Sequence, residues 1–329
     1  MNKRRFGRTG LQISEMVLGA GRVGGLIITA DDATRRRAIR MCLDAGVNWI
    51  DTAPSYGDGA SEEALGWLLG EFDDAERPHV STKVRLDPAK LDNIPGEVEA
   101  SMAASLRRLR RGKVDLVQLH NPIDRTQDGH TLGIDQVLGE RGAIEALEAL
   151  RNTGVTDHVG ITALGDVDVV KEVLASGRID TAQVYYNLLN PSAGRPVAAG
   201  WSTQNFAGLL ETCATHDVGV MNIRVLAAGV LATTKRHGRE GMITRDTDLA
   251  GEERRASTAL RTLGGAHGTG AQTAIRFALA ERRIHGVVVG VEQLEHVEEA
   301  LKAFEMGPLP EAALADLEAL YVTDFDQNV

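Results

Sequence analysis

The sequence predicts a (β/α)8 barrel with an N-terminal β-hairpin and a C-terminal helical tail. Three observations carry that reading. Eight short runs rich in β-branched and apolar residues are spread along the chain, helix-like segments alternate with them, and no Pro- or Ser-rich linker divides the series. Strict strand-helix alternation gives a parallel sheet, and eight repeats close it into a barrel. Residues 1–329 then form one α/β domain, with an open doubly wound sheet as the competing architecture.

Taken in order, RRFGRTGLQIS (residues 4–14) places Gly-Arg-Thr-Gly as a turn between two extended arms, a hairpin ahead of the barrel. Candidate strands follow at 16–20 (MVLGA), 47–51 (VNWID), 79–84 (HVSTKV), 114–119 (VDLVQL), 158–163 (HVGITA), 181–186 (TAQVYY), 218–226 (VGVMNIRVL) and 286–291 (GVVVGV). Between the first two lies DDATRRRAIRMCLDAG, with Thr29 and Asp32 spaced as a capping box and Gly46 at the stop. IPGEVEASMAASLRRLRRG, GAIEALEALRNTG, DVDVVKEVLASG and NFAGLLETCATHD continue the alternation, and residues 309–329 read as a helical tail. Three stretches after strands are long, 121–141, 188–204 and 227–253, and all fall on the face where barrels carry function.

Composition narrows the classes of function. Hydrophobic residues make up 43% and charged residues 25%, ordinary for a globular protein, and no run is long enough to cross a bilayer. The basic start, MNKRRFGRTG, lacks the apolar stretch of a signal peptide, so a cytoplasmic location is expected. Two cysteines, Cys42 and Cys213, sit in helix-like apolar contexts and support neither a disulfide framework nor a cysteine-rich metal site. A net charge of −10 argues against nucleic acid or an anionic membrane as partner, while leaving room for a local basic pocket.

The stretch VLGAGRVGG (residues 17–25) has the GxGxxG spacing of a dinucleotide-binding loop. Two features count against that role. Apolar Leu26, Ile27 and Ile28 separate the glycines from the first capping signal, and Asp51 lies 27 residues past Gly24 instead of the usual spacing of about twenty. The segment reads instead as the first barrel strand and its rim loop, in which Gly24→Ala changes cofactor binding little.

At the ends of consecutive strands stand Asp51, Lys83 and His120, with Tyr56 on the loop DTAPSYGDG. An ammonium in a β-branched strand needs a partner, and Asp51 is the nearest candidate for Lys83. The set suits carbonyl reduction: an ammonium beside a phenol favours its ionised form, so Tyr56 becomes a better proton donor, while His120 donates to a developing oxyanion. No HExxH, paired cysteines or carboxylate cluster points to a metal, so hydride must come from a bound cofactor.

These residues resemble the aldo-keto reductase family. GVNWIDTAPSYGDGASEEALGWLL is similar to that family's Asp and Tyr segment, VSTKV to its Lys strand and VDLVQLHNP to its His strand. HVGITA, AQVYYNLLNP, the region from Arg224 to Gly229, and GVVVGVEQLEHVEEAL extend the match over nearly the whole chain. The resemblance implies an extended nicotinamide cofactor bound without a Rossmann domain, and Asp51, Tyr56, Lys83 and His120 as a catalytic tetrad with Tyr56 as general acid or base. It also implies cofactor contacts from Gly21, Arg22, Asp51, Thr162, Gln183, Arg224, Leu226, Gly229, Gly290, Glu292, His296 and Ala300. Thr162 and Gln183 would hold the nicotinamide carboxamide, whereas Ala163 stands where the family has Asn. Substrate contacts are implied for Val23, Tyr56, His120 and Trp201.

At the adenosine end Glu292 adds negative charge where a 2′-phosphate would lie, and this brings NAD level with NADP. The expected substrate is a small polar carbonyl or alcohol such as a sugar, and the chain is expected as a monomer or small homo-oligomer. Arg125, His130, Lys235 and Arg236 add polar groups to the long loops. Two rivals stand beside this reading: a Schiff-base lyase using Lys83, and a non-catalytic nicotinamide-binding barrel acting as a sensor or accessory subunit.

Overall fold

Eight parallel strands close on one another in chain order: Met16–Gly19 (β1), Trp49–Asp51 (β2), His79–Val84 (β3), Val114–Leu119 (β4), Thr156–Thr162 (β5), Thr181–Tyr185 (β6), Gly219–Ile223 (β7) and Gly286–Gly290 (β8). The computed structural model describes residues 1–236 and 238–325, so the last four residues of the expected tail lie outside the described residues. Each strand falls within or beside its sequence candidate. β7 stops at Ile223, short of the expected 226, because the backbone turns left-handed at Arg224 (φ 62°), Ala227 (φ 45°) and Ala228 (φ 57°).

Register places the site. Gly19 pairs with Asp51, Asp51 with Ser81, Lys83 with Gln118, and Gln183 with Thr162. Side chains alternate along a strand, so residues two apart share a face. Ser81 and Lys83, and Gln118 and His120, are therefore stacked pairs.

Lys3–Arg5 and Gln12–Ser14 form the expected antiparallel hairpin. It drives Phe6 into the bottom of the barrel, where Phe6, Ile13, Val17, Trp49, Leu116 and Met221 form a separate apolar cluster. Gly219 is required there, since a Cβ would lie 2.6 Å from the Phe6 ring. A larger cluster fills the shell between strands and helices and takes in Cys42 and Cys213, whose thiols burial pushes up to about 12.

The helices follow the expected order, with one correction at the first. Thr29 does not cap the long helix; it ends a four-residue helix, Leu26–Thr29, and Asp31 caps Asp32–Asp44 by accepting from the Thr34 amide at 3.0 Å. The apolar Leu26–Ile28 thus begins a helix at once instead of delaying it. Asp31 wins the cap because its short carboxylate reaches the orphan amide at N3. Elsewhere Ile94–Leu109 is capped by Asn93, Val167–Ala175 by Asp166, and the tail contributes Glu311–Tyr321. Among the described residues no helix is long and apolar enough to cross a membrane.

Candidate functional site

Lys83 is fully buried and its Nζ makes three contacts: Asp51 Oδ2 at 2.6 Å, the Thr52 carbonyl at 2.8 Å and Tyr56 Oη at 3.3 Å. Burial works against its charge, but the Asp51 carboxylate and then Tyr56 more than offset it, holding Lys83 above the ordinary lysine value. Tyr56 is carried on the loop leaving β2, whose first turn is closed by its amide donating to the Ala53 carbonyl at 3.1 Å. His120 presents its ring edge to Tyr56, centroids 6.0 Å apart and planes at 83°. Burial first, then the Lys83 and Arg85 cations, push His120 down to about 3, so the imidazole is neutral at physiological pH. Its Nδ1 is buried without a partner.

The second carboxylate oxygen of Asp51 is held by groups the sequence reading did not assign there. Ser81 Oγ and Gln183 Nε2 each donate to Oδ1 at 2.8 Å, with Gln118 Nε2 at 3.5 Å. Trp49 Nε1 in turn donates to Ser81 Oγ at 3.0 Å. Period-two alternation back from Lys83 and His120 is the signal that would have found Ser81 and Gln118. Gln183 was expected on a nicotinamide carboxamide; its amide nitrogen is engaged with Asp51, and the carbonyl oxygen is what it has to offer a cofactor.

Around this cluster the remaining residues separate into groups. A Cβ on Gly21 would lie 3.6 Å from the Tyr56 ring, so the loop after β1 runs directly over the phenol, followed by exposed Arg22 and half-buried Val23. Thr162 is buried beside Gln183 with its hydroxyl unpartnered. Arg224, in left-handed backbone, donates from Nη1 to the Gly241 carbonyl at 2.5 Å, while Leu226 and Gly229 form the tight turn behind it. At the end of β8, Glu292 pairs with Arg239 of the 227–253 loop. His296 Nδ1 accepts from the Glu292 amide at 3.4 Å, and Ala300 is buried on the helix Leu294–Met306. Trp201 lies over the Arg255 guanidinium, 4.5 Å from ring centroid to carbon, with Phe325 at 6.1 Å. Of the loop cations, Arg125 pairs with Glu172 and Arg236 with Glu253.

The loop VLGAGRVGG is stapled to β8. Leu26 donates its amide to the Val291 carbonyl at 3.1 Å and Gly25 to the Gly21 carbonyl at 3.0 Å, so the first helical amides are not turned toward a phosphate. A Cβ on Gly24 would run into the Val291 amide and lie 2.6 Å from its carbonyl oxygen. A Cβ at position 24 therefore forces two rim loops apart, a backbone clash that the expectation of little change in cofactor binding did not include.

A buried ammonium clamped between a carboxylate and a phenol, with a neutral imidazole edge-on, can deliver a proton to a carbonyl oxygen and steady the charge that develops. Residues that would surround a nicotinamide include a buried hydroxyl without a partner, on Thr162, and a buried amide oxygen, on Gln183, as a carboxamide requires. Among the described residues no three His, Cys, Asp or Glu side chains gather as a metal site.

A barrel with this constellation on its C-terminal rim has the form of a nicotinamide-dependent carbonyl oxidoreductase. The chain belongs to the Aldo/keto reductase family, whose model matches residues 15–322. It is 27% identical to L-galactose dehydrogenase of Arabidopsis thaliana over 328 residues, 96% of this chain and 93% of that protein. It is 30% identical to D-threo-aldose 1-dehydrogenase of a Pseudomonas species over 258 residues, 70% of this chain and 71% of that one. The fold matches the holo form of aldo-keto reductase AKR11C1 from Bacillus halodurans with a TM-score of 0.74 at 24% identity, covering 99% of each chain. An aldo/keto reductase of Klebsiella pneumoniae in complex with NADP and acetate matches at a TM-score of 0.69 and 23% identity, over 98% of this chain and 95% of that one.

Proposed function

We propose that this protein interconverts a small polar carbonyl compound, of the aldose type, and its alcohol, with Tyr56 as general acid in reduction and general base in oxidation. The contact from Lys83 Nζ to Tyr56 Oη, backed by the buried Asp51 pair, carries the reading. Tyr56 gives its phenolic proton to the carbonyl oxygen, and the Lys83 ammonium stabilises the phenolate left behind. Asp51, locked by Ser81 and Gln183, keeps Lys83 charged and in place. His120, neutral, donates a hydrogen bond to the same oxygen as negative charge builds. When bound, the nicotinamide cofactor supplies or accepts the hydride.

Thr162 and the Gln183 carbonyl would take the carboxamide, with Ala163 contributing no polar group. Gly21 and Arg22 would face the ribose, and Arg224, Leu226 and Gly229 the phosphates. Gly290, Glu292, His296 and Ala300 would meet the adenosine. Glu292 disfavours a 2′-phosphate, while Arg239 beside it works the other way, so we place the two cofactors within about tenfold of each other, 1.4 kcal/mol.

Two features speak against the Schiff-base reading. A lysine held as an ammonium is not a nucleophile, and Nζ already spends its protons on three acceptors. The test is a panel of aldehydes, ketones, sugars and alcohols run in both directions with NAD(H) and NADP(H), followed by nicotinamide absorbance. Turnover is expected, and Tyr56→Phe should lower kcat by about 10²–10⁴ with cofactor affinity retained. A wild type inert on the whole panel, or a Tyr56→Phe enzyme of full activity, overturns the reading.

A further inference from the structure

The rim beside His120 carries a cation without a counter-ion among the described residues. Arg85 is exposed, two residues beyond Lys83, and its hydrogen bond is a long one, Nη1 to the His120 carbonyl at 3.4 Å. No acidic side chain among the described residues pairs with it; the nearest acid along the chain, Asp87, faces Lys90 at 3.5 Å. Of the other cations near Tyr56, Lys83 is spent on Asp51 and Arg224 donates to the Gly241 carbonyl, while exposed Arg22 on the loop over the phenol is likewise without an ion pair among the described residues and serves as the control below.

The backbone under Arg85 is held unusually firmly. Fully buried Asn121 accepts from the Leu86 amide and donates to the Leu86 carbonyl, both at 2.8 Å, and His120 donates its amide to Val84 at 2.8 Å. Three hydrogen bonds thus lace residues 84–86 to residues 120–121, and the guanidinium is kept on the His120 side of the mouth. Its charge is felt by the imidazole, where Arg85 stands among the cations acting on it. A guanidinium presents five N–H donors in a planar fork that matches a carboxylate or phosphate, and most of that fork is unspent here.

We propose that the carbonyl substrate bears an oxyanion, carboxylate or phosphate, within a few atoms of its reacting carbon, and that Arg85 receives it. The proposal rests on the carbonyl-reducing reading above. A substituent on a carbonyl held between Tyr56 and His120 has room to extend along the His120 side of the rim, where Arg85 lies. Sugar acids, sugar phosphates and short oxo acids are the classes that fit. Arg85 is a specificity residue in this scheme, acting on substrate binding more than on the proton transfer.

The test compares glycolaldehyde, glyoxylate and glycolaldehyde phosphate, which share a two-carbon frame and differ in charge. Wild type should favour at least one anion over the neutral aldehyde, and the preference should fall with added salt. Arg85→Gln should lose about 10- to 100-fold more kcat/KM on the preferred anion than on glycolaldehyde, chiefly through KM, and Arg85→Lys should recover part of it. The carboxylate and phosphate arms decide which oxyanion is read. Equal losses on charged and neutral substrates, or a selective loss that follows Arg22→Gln instead, overturn the proposal. Glycolate and inorganic phosphate titrated by calorimetry into the full-length protein supply a readout independent of turnover. Anion binding that Arg85→Gln weakens, in a protein that turns over none of the three aldehydes, keeps the anion site and discards the reaction assigned to it; equal binding to both proteins discards the site.

Discussion

The bottom and the mouth of this barrel share strands β2 and β4 and contain opposite chemistry. At the bottom Phe6, Ile13, Val17, Trp49, Leu116 and Met221 form a dry plug sealed by the hairpin. Higher up, β2 and β4 together with β3 and β6 turn Asp51, Gln118, Ser81, Lys83 and Gln183 inward, all buried. Trp49 belongs to both: its ring meets Phe6 edge-on at 5.5 Å, and its N–H reaches up to Ser81. The plug holds shape through burial alone, whereas the mouth tolerates an ammonium only because carboxylate, hydroxyl and amide groups surround it.

Breaking each half should have different consequences. Lys83→Met leaves Asp51 buried without its cation, and denaturant unfolding should show a loss of about 3–5 kcal/mol together with loss of turnover. Replacing both members, Asp51→Asn with Lys83→Met, should restore most of the stability and none of the activity. A double variant as unstable as the single one would mean that the pair contributes packing, not charge balance. Phe6→Ala should cost about 3 kcal/mol by opening a cavity in the plug, with kcat/KM per folded molecule unchanged. A kinetic defect in Phe6→Ala would show that the plug also tunes the mouth through Trp49.

The barrel and the gathering of Asp51, Tyr56, Lys83 and His120 at its mouth were legible because their signals are local. Eight apolar runs with helices between them admit few arrangements, and an ammonium in a strand demands a partner wherever it sits. What escaped the sequence was contact across the mouth. The Arg239–Glu292 pair joins residues 53 positions apart, and the Gln183–Asp51 bond joins residues 132 apart. Capping at Asp31 instead of Thr29 turned on a four-residue helix too short for periodicity to reveal. The left-handed turn that ends β7 falls on Arg224 and Ala228, residue types that carry no turn signal.

Smaller effects are expected where the mouth's loops meet. Gly24→Ala pushes the loop after β1 off Val291, and cofactor titration by fluorescence should show binding weaker by about tenfold, 1.4 kcal/mol. Unchanged affinity would show that the two loops separate without disturbing the cofactor site. Glu292→Gln removes the carboxylate facing Arg239 and should move the ratio of NADP to NAD affinity upward by severalfold, with the NAD affinity nearly constant. A ratio that does not move would place the 2′-position away from the end of β8.

The finest distinction between mouth and bottom lies in how pH acts on their histidines. Burial and neighbouring cations lower His120 at the mouth to about 3, and burial with Arg4 lowers His285, beside Phe6, to about 4. An unfolded histidine titrates near 6.5, so between these values the unfolded chain binds a proton that the folded chain refuses, and stability rises with pH. His120→Gln should flatten that rise between about pH 3 and 6.5, and urea midpoints at pH 5 and pH 7.5 should draw closer than in wild type. His285→Gln should flatten it as well, yet His120→Gln alone should also slow turnover, since His120 faces Tyr56 and His285 accepts from the Val220 amide at the far end. Equal slopes in wild type and His120→Gln would mean that the imidazole titrates in the folded protein as it does in the unfolded chain, and its lowering by burial and neighbouring cations would have to be given up.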